Sequence, residues 1–199
     1  EEKIELAREV ERAAKKIDSK IRRIRKAGYD ESTSEAIIID SQGKRLRHAA
    51  TSFSSGILCI AEDGAAAETD HESFSSRLSK ELRPQWVGEM GARNALELLN
   101  AGTTPTRVCP AVFKNSVVAE LIGFLSASFS AENIDKNFSL LVGKTNQKLF
   151  SKELSLYDDG ILAGGLATSP FDGEGAPQTR TTLVKAGVID SFLYDTYYA

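Results

Sequence analysis

At 199 residues, with a net charge of −3, 41% apolar and 27% charged residues, the chain has material for one large domain or two small ones, each with a core of its own. This balance excludes a global bias toward nucleic acid or acidic lipid. No apolar run approaches the roughly 20 residues that span a bilayer, and the first residues are too charged for a signal peptide, so a cytoplasmic protein with no membrane association is expected. Cys59 and Cys109 lie in apolar, strand-like contexts without CxxC spacing, which predicts buried free thiols rather than a disulfide or a metal pair. The chain opens on Glu1-Glu2-Lys3 already inside a helical pattern and closes on Tyr197-Tyr198-Ala199 without polar capping. It reads as a fragment of a larger chain.

Ile4, Ala7, Val10, Ala14 and Ile17 recur at three- and four-residue steps with charges between them, the pattern of an amphipathic helix on an apolar support. Ala36-Ile37-Ile38-Ile39 and Gly56-Ile57-Leu58-Cys59-Ile60 are rich in β-branched residues and bounded by Asp40-Ser41-Gln42-Gly43 and Glu62-Asp63-Gly64. These predict strands of an antiparallel meander. Pro84 opens a second helix with Val87, Met90, Ala95, Leu98 and Leu99 on one stripe, ending near Asn100-Ala101-Gly102. A boundary is placed after it, giving an N-terminal part of helix, meander and helix over 1–101 and an α+β part over 102–199. The second part is predicted to hold a short strand over 108–113. A third helix comes next, capped by Asn115 or Ser116 and carrying Val117, Val118, Leu121, Ile122, Leu125 and Phe129 as the most buried element. A fourth helix is predicted over 134–149, then two strands over 179–184 and 188–194 joined by a bulged hairpin at Gly187. Helices and strands mix without regular βαβ alternation, so the fold class is α+β, with antiparallel or mixed sheets and packed helices.

Four carboxylates, Asp158, Asp159, Asp172 and Glu174, stand among many glycines with no lysine or arginine between Lys152 and Arg180. Carboxylates close in sequence repel, and glycines cost folding entropy, so the segment reads either as the rim of a site or as a solvated acidic loop. Zinc needs three or more ligands, whereas the chain has two histidines: His71-Glu72 lacks a following histidine, and His48 stands far off among basic residues. Neither a nucleophile elbow nor a phosphate loop is present. Lys20-Ile21-Arg22-Arg23-Ile24-Arg25-Lys26 packs five positive charges into seven residues. With only Tyr29 nearby for stacking, a solvated strand edge is preferred to nucleic-acid binding.

The order of Ala119-Glu120-Leu121-Ile122-Gly123-Phe124, Tyr157-Asp158-Asp159-Gly160, Phe171-Asp172-Gly173-Glu174-Gly175-Ala176-Pro177 and Gly187-Val188-Ile189 resembles the TldD/PmbA family, described as modulators of DNA gyrase and as peptidases. The resemblance implies a helix carrying His-Glu-x-x-x-His as zinc ligands in the family's catalytic branch. The matching positions here are Ala119, Glu120 and Phe124, and neither alanine nor phenylalanine can donate an electron pair to a metal. The resemblance therefore implies the PmbA (TldE) branch: a subunit with no catalytic residue and no metal of its own, paired with a zinc-bearing TldD-like subunit or with itself. It would act on unfolded peptides, with Asp158, Asp159, Asp172 and Glu174 shaping a peptide-binding or interface loop. A self-sufficient homo-oligomeric metallopeptidase and a DNA gyrase-modulating binding protein remain the alternatives.

Overall fold

The computed structural model describes residues 1–199, which divide into two compact units. Residues 1–105 with 164–166 form one, and residues 106–163 with 167–199 form the other. In the first unit, α1 (Glu2–Lys15) precedes three strands, β1 (Ile21–Ile39), β2 (Arg45–Asp63) and β3 (Ala66–Ser76), and then α2 (Pro84–Leu98). The strands pair antiparallel in the order β1-β2-β3, the meander expected from sequence. Asp40 Oδ1 accepts from the backbone N–H groups of Gln42 and Lys44 at 2.9 Å, and Gly43 takes φ +86°. This aspartate-anchored turn sets the β1–β2 register, because the side chain supplies the local hydrogen bonds that the reversing backbone lacks.

The first core lies where α1 and α2 cover one face of the sheet. Val10, Ala14, Ile21, Ile57, Cys59, Ala61, Val87, Ala92 and Ala95 are buried together. Glycine makes the approach of the two helices possible: a Cβ on Gly88 would collide with Val10 O and stand 2.8 Å from Ala13 Cβ. The buried face of α2 is accordingly Val87, Gly88, Gly91, Ala92 and Ala95, and Leu98, placed on the apolar stripe by periodicity, is exposed. Ile4 of α1 is likewise 59% exposed. The basic tract begins β1, an edge strand, where its ladder is irregular between Ile21 and Arg23 and again between Ile24 and Lys26. Positive charge and bulging both discourage a stray strand from pairing there. Lys20 also pairs with Asp63 and Arg23 with Glu62.

In the second unit the regular elements are α3 (Asn115–Ser126), α4 (Ala131–Asp135), β4 (Leu156–Asp159), β5 (Arg180–Lys185) and β6 (Val188–Ile189). The sheet order is β4-β5-β6, antiparallel throughout. Phe129, Leu141, Leu183, Val184, Ile189 and Phe192 make its core. Several expectations are corrected here. Residues 108–113 form no strand, with Val108 and Val112 fully exposed, and Cys109 is exposed rather than buried. α3 contains no buried residue, the reverse of its expected place: Leu125 alone of its expected stripe packs against the core, and Phe129, expected on the same helix, lies beyond its end and is fully buried there. Helix stops at Asp135 and gives way to turns with positive φ at Asn137, Gly143 and Asn146, conformations that interrupt a helix. The β5–β6 connection is a tight two-residue turn, Ala186-Gly187, with φ +48° and +82°, so both residues rather than one bulge residue take the left-handed region.

Candidate functional site

The acidic segment is not one loop. Its first pair, Asp158 and Asp159, ends strand β4, opposite Thr181 and Arg180 of β5. Side chains alternate across a strand, so Tyr157 and Asp159 share one face while Asp158 faces the other way. On the shared face Arg180 spans both neighbours: its guanidinium carbon is 4.2 Å from the Tyr157 ring centroid, and Nε is 3.6 Å from Asp159 Oδ2. Asp159 also accepts from the Ile161 backbone N–H at 3.3 Å. The charge of this pair is therefore partly compensated, contrary to the reading of an acidic stretch without a cation, because strand pairing brings in Arg180 from beyond its sequence boundary. Arg180 is the residue that linear inspection misses. Asp158 remains exposed.

The second pair is spent on backbone. Phe171 and Pro177 bridge to close a turn, inside which Asp172 Oδ1 accepts from Glu174 N–H and Ala176 N–H, each at 2.9 Å. Gly175 adopts φ +76° and donates to Asp172 O at 3.1 Å. Glu174 Oε2 accepts from Thr196 N–H at 2.9 Å and Thr196 Oγ1 at 3.0 Å, tying the turn to the last residues. Between the pairs, Gly160 donates to Thr179 O and accepts from Ser169 N–H, and a Cβ on Gly160 would stand 2.8 Å from Gln178 Cδ. A side chain at that crossing would have to displace the end of Gln178. The result is a doubly hairpinned rim with two differently employed carboxylate pairs.

The helix positions matching the family's metal motif all lie on α3, where Ala119 and Glu120 are exposed and Phe124 is 81% exposed. A methyl group and a phenyl ring flank the single carboxylate, so these residues do not fit a zinc ion. His48 stands on β2 and His71 on β3, opposite Leu58, with His71 Nδ1 3.4 Å from Asp70 Oδ1. No three His, Cys, Asp or Glu side chains are grouped as a metal site. No helix is long and apolar enough to cross a membrane.

Comparison with known proteins respects the same division of the chain. Residues 1–99 match the PmbA/TldA metallopeptidase central domain, and residues 106–199 match the C-terminal domain of that family. The Escherichia coli O157:H7 metalloprotease PmbA is 27% identical over all of this chain and 44% of its own length, and the Haemophilus influenzae PmbA homologue is 27% identical over 97% of the chain and 43% of its own length. A Thermotoga maritima structure named as a candidate modulator of a DNA gyrase superposes with a TM-score of 0.89 at 26% identity, covering 99% of this chain and 46% of that one. TldE from Thermococcus kodakarensis shares the fold, with a TM-score of 0.80 at 19% identity over 98% of this chain and 44% of its own. The chain thus spans less than half the length of these relatives. With both units matched and their order preserved, it belongs to the PmbA/TldD metallopeptidase family.

Proposed function

We propose that this chain is part of a metal-free, non-catalytic subunit of a two-component peptidase, in which hydrolysis belongs to a zinc-bearing TldD-like partner and the present subunit helps hold an unfolded peptide. The observation that carries the reading is the pair Ala119 and Phe124 on either side of Glu120. Without imidazoles at these positions the glutamate has no metal-bound water beside it, and its exposure on α3 suits an ordinary solvated carboxylate.

The acidic rim supports a holding role. Asp172 and Glu174 fix the loop backbone, while Asp158 and the Tyr157–Arg180–Asp159 stack offer a mixed polar and aromatic surface beside the exposed ends of a short sheet. Extended peptides are recognised by such a combination of strand edges and side-chain contacts.

The deciding experiment uses the full-length protein. Purified alone, it is expected to hold no stoichiometric zinc by elemental analysis and to leave an unfolded peptide uncut, with cleavage appearing once a relative bearing His-Glu-x-x-x-His is added. Stoichiometric zinc together with cleavage by the isolated protein overturns the proposal in favour of a self-sufficient peptidase. For the rim, Asp172→Ala with Glu174→Ala is expected to lower cleavage by the mixed pair. Unchanged cleavage and unchanged partner binding remove the rim from the reading.

A further inference from the structure

Between the two carboxylate pairs the chain makes a self-closed loop. Gly160 O accepts from Ser169 N–H at 3.2 Å across its neck, Thr168 Oγ1 donates to Leu162 O at 2.6 Å inside it, and Gly164 turns it at φ +74°. A compact surface loop with adjoining ends is an Ω-loop, a form that frequently carries function. No residue over 161–170 is buried, and Ile161, Leu162 and Leu166 are 56%, 56% and 48% exposed. Hydrogen bonds rather than apolar burial therefore fix this loop, and segments of that kind open readily unless something anchors them.

The anchor is Arg77. Residues 164–166 belong to the first unit, in which the Arg77 guanidinium donates from Nε to Gly165 O at 3.1 Å, from Nη2 to Leu166 O, and from Nη1 to Thr51 O at 3.2 Å. The Thr51 hydroxyl in turn donates to Arg77 O at 2.8 Å, which ties the arginine to β2. A planar fork of donors suits three fixed carbonyls in a way that a single ammonium does not. One guanidinium thus commits three donors to main chain, two of them at the tip of the loop. That loop follows directly on Asp158 and Asp159 and ends before the Phe171–Pro177 turn.

We propose that Arg77 is a positioning residue of the rim. By holding Gly165 and Leu166 it keeps loop 160–169 in one arrangement, in which Ile161 and Leu162 cover an apolar side chain of an extended peptide and the exposed Asp158 attracts a basic one. This role presupposes the peptide-holding function proposed above and names its substrate class: a segment with an apolar residue beside a basic residue. Burial of the exposed aliphatic groups supplies the first preference, and the carboxylate's field the second.

Hydrogen exchange of the full-length protein tests the anchor. Arg77→Ala is expected to speed exchange over 161–168 at least about tenfold, while the amides of α2 and β5 keep their rates. Fluorescence anisotropy tests the site, with the full-length protein assembled with a His-Glu-x-x-x-His-bearing relative and stripped of zinc so that nothing is cut. The probes are short unstructured peptides carrying Leu-Arg, Leu-Gln or Ser-Arg at the centre. Arg77→Ala should weaken Leu-Arg binding about tenfold and leave Ser-Arg binding nearly unchanged. Ile161→Ser with Leu162→Ser should do the same, with α2 and β5 exchange as the check on folding. Asp158→Asn should erase the preference for Leu-Arg over Leu-Gln. A residue that merely supported the fold would lower all three affinities together. Unchanged exchange over 161–168 in Arg77→Ala, or affinities that fall equally for every peptide, overturns the proposal and leaves the peptidase reading in place. A wild-type pair that binds none of the peptides overturns both.

Discussion

Two cysteines with similar sequence surroundings have opposite fates. Cys59 is fully buried on β2, and burial, reinforced by Asp70, pushes its thiol up to about 11. Cys109 is exposed in the segment between the units' regular elements. A thiol reagent at mildly alkaline pH is expected to titrate one cysteine in the native chain and two in denaturant, because the thiolate is the reactive form and Cys59 is both protonated and inaccessible. Two fast-reacting thiols in the native state would contradict the placement of Cys59. Gly187 shows the same dependence on surroundings. Its φ of +82° was legible as a turn signal, but the carbonyl oxygens of Phe150 and Ser151 that a Cβ would strike, the latter at 2.6 Å, belong to a distant stretch of the sequence. Gly187→Ala is expected to destabilise the second unit by about 2–3 kcal/mol, combining positive φ with overpacking, measurable as a lower urea midpoint.

At the scale of elements, the helix–sheet layer of the first unit depends on small residues more than on large ones. α2 buries two glycines and two alanines beside Val87, and Gly88 faces the backbone of α1 at Val10. Gly91 lies against Ile57 of β2, where a Cβ would overlap the Cγ2 methyl. In an exposed helix Gly→Ala would stabilise by up to about 1 kcal/mol. Here the collisions reverse the sign, and Gly88→Ala is expected to cost about 2–3 kcal/mol by forcing α1 away. An unchanged or raised melting temperature would show that the helices are not in this contact. Periodicity identified α1 and α2 because each has an apolar stripe, yet it favoured Ile4 and Leu98 over Gly88 and Gly91. Hydropathy ranks side chains, whereas close helix packing selects for their absence.

For the molecule as a whole, surface ion pairs set the pH response. The Arg12 guanidinium hydrogen-bonds to Glu5 and lowers its pKa, Lys3 does the same for Glu31, and Lys20 for Asp63. Depressed carboxylates contribute stability above their unfolded values, and that contribution is lost as pH falls from the ordinary 4.5 of a glutamate through the lower folded values. Lys20 and Lys136 are raised by Asp63 and Glu132, and the Tyr29 hydroxyl, which donates to Glu31, is raised to about 12. Raised groups act in the opposite sense: their contribution is complete below the unfolded values and lost as pH climbs through the folded ones. Melting temperature is therefore expected to be flat between about pH 5 and 9 and to fall on either side, the buried Cys59 thiol, raised from 9.0 to about 11, adding to the loss on the alkaline side. The slopes should be shallow, since every one of these pairs is solvent-exposed and screened. Loss already at about pH 6 would contradict the assignment of the acid limb to these carboxylates.

The sequence by itself determined the local grammar and the kinship. The apolar stripes of α1 and α2, the Asp40 and Gly187 turns, the antiparallel meander, the α+β class and the family's order of motifs are all carried by residues within a few positions of one another. The missing imidazoles at positions 119 and 124 are also a fact of composition alone. Tertiary structure decided what became of these pieces. α3 has the strongest apolar stripe of the second unit and is its least covered helix, because burial depends on whether another surface arrives, which no stripe can announce. The four carboxylates look alike in a string of letters. Strand pairing sets Arg180 beside Asp159, and turn geometry gives Asp172 and Glu174 to the backbone, because hydrogen bonds and ion pairs are made across space between residues that sequence keeps apart.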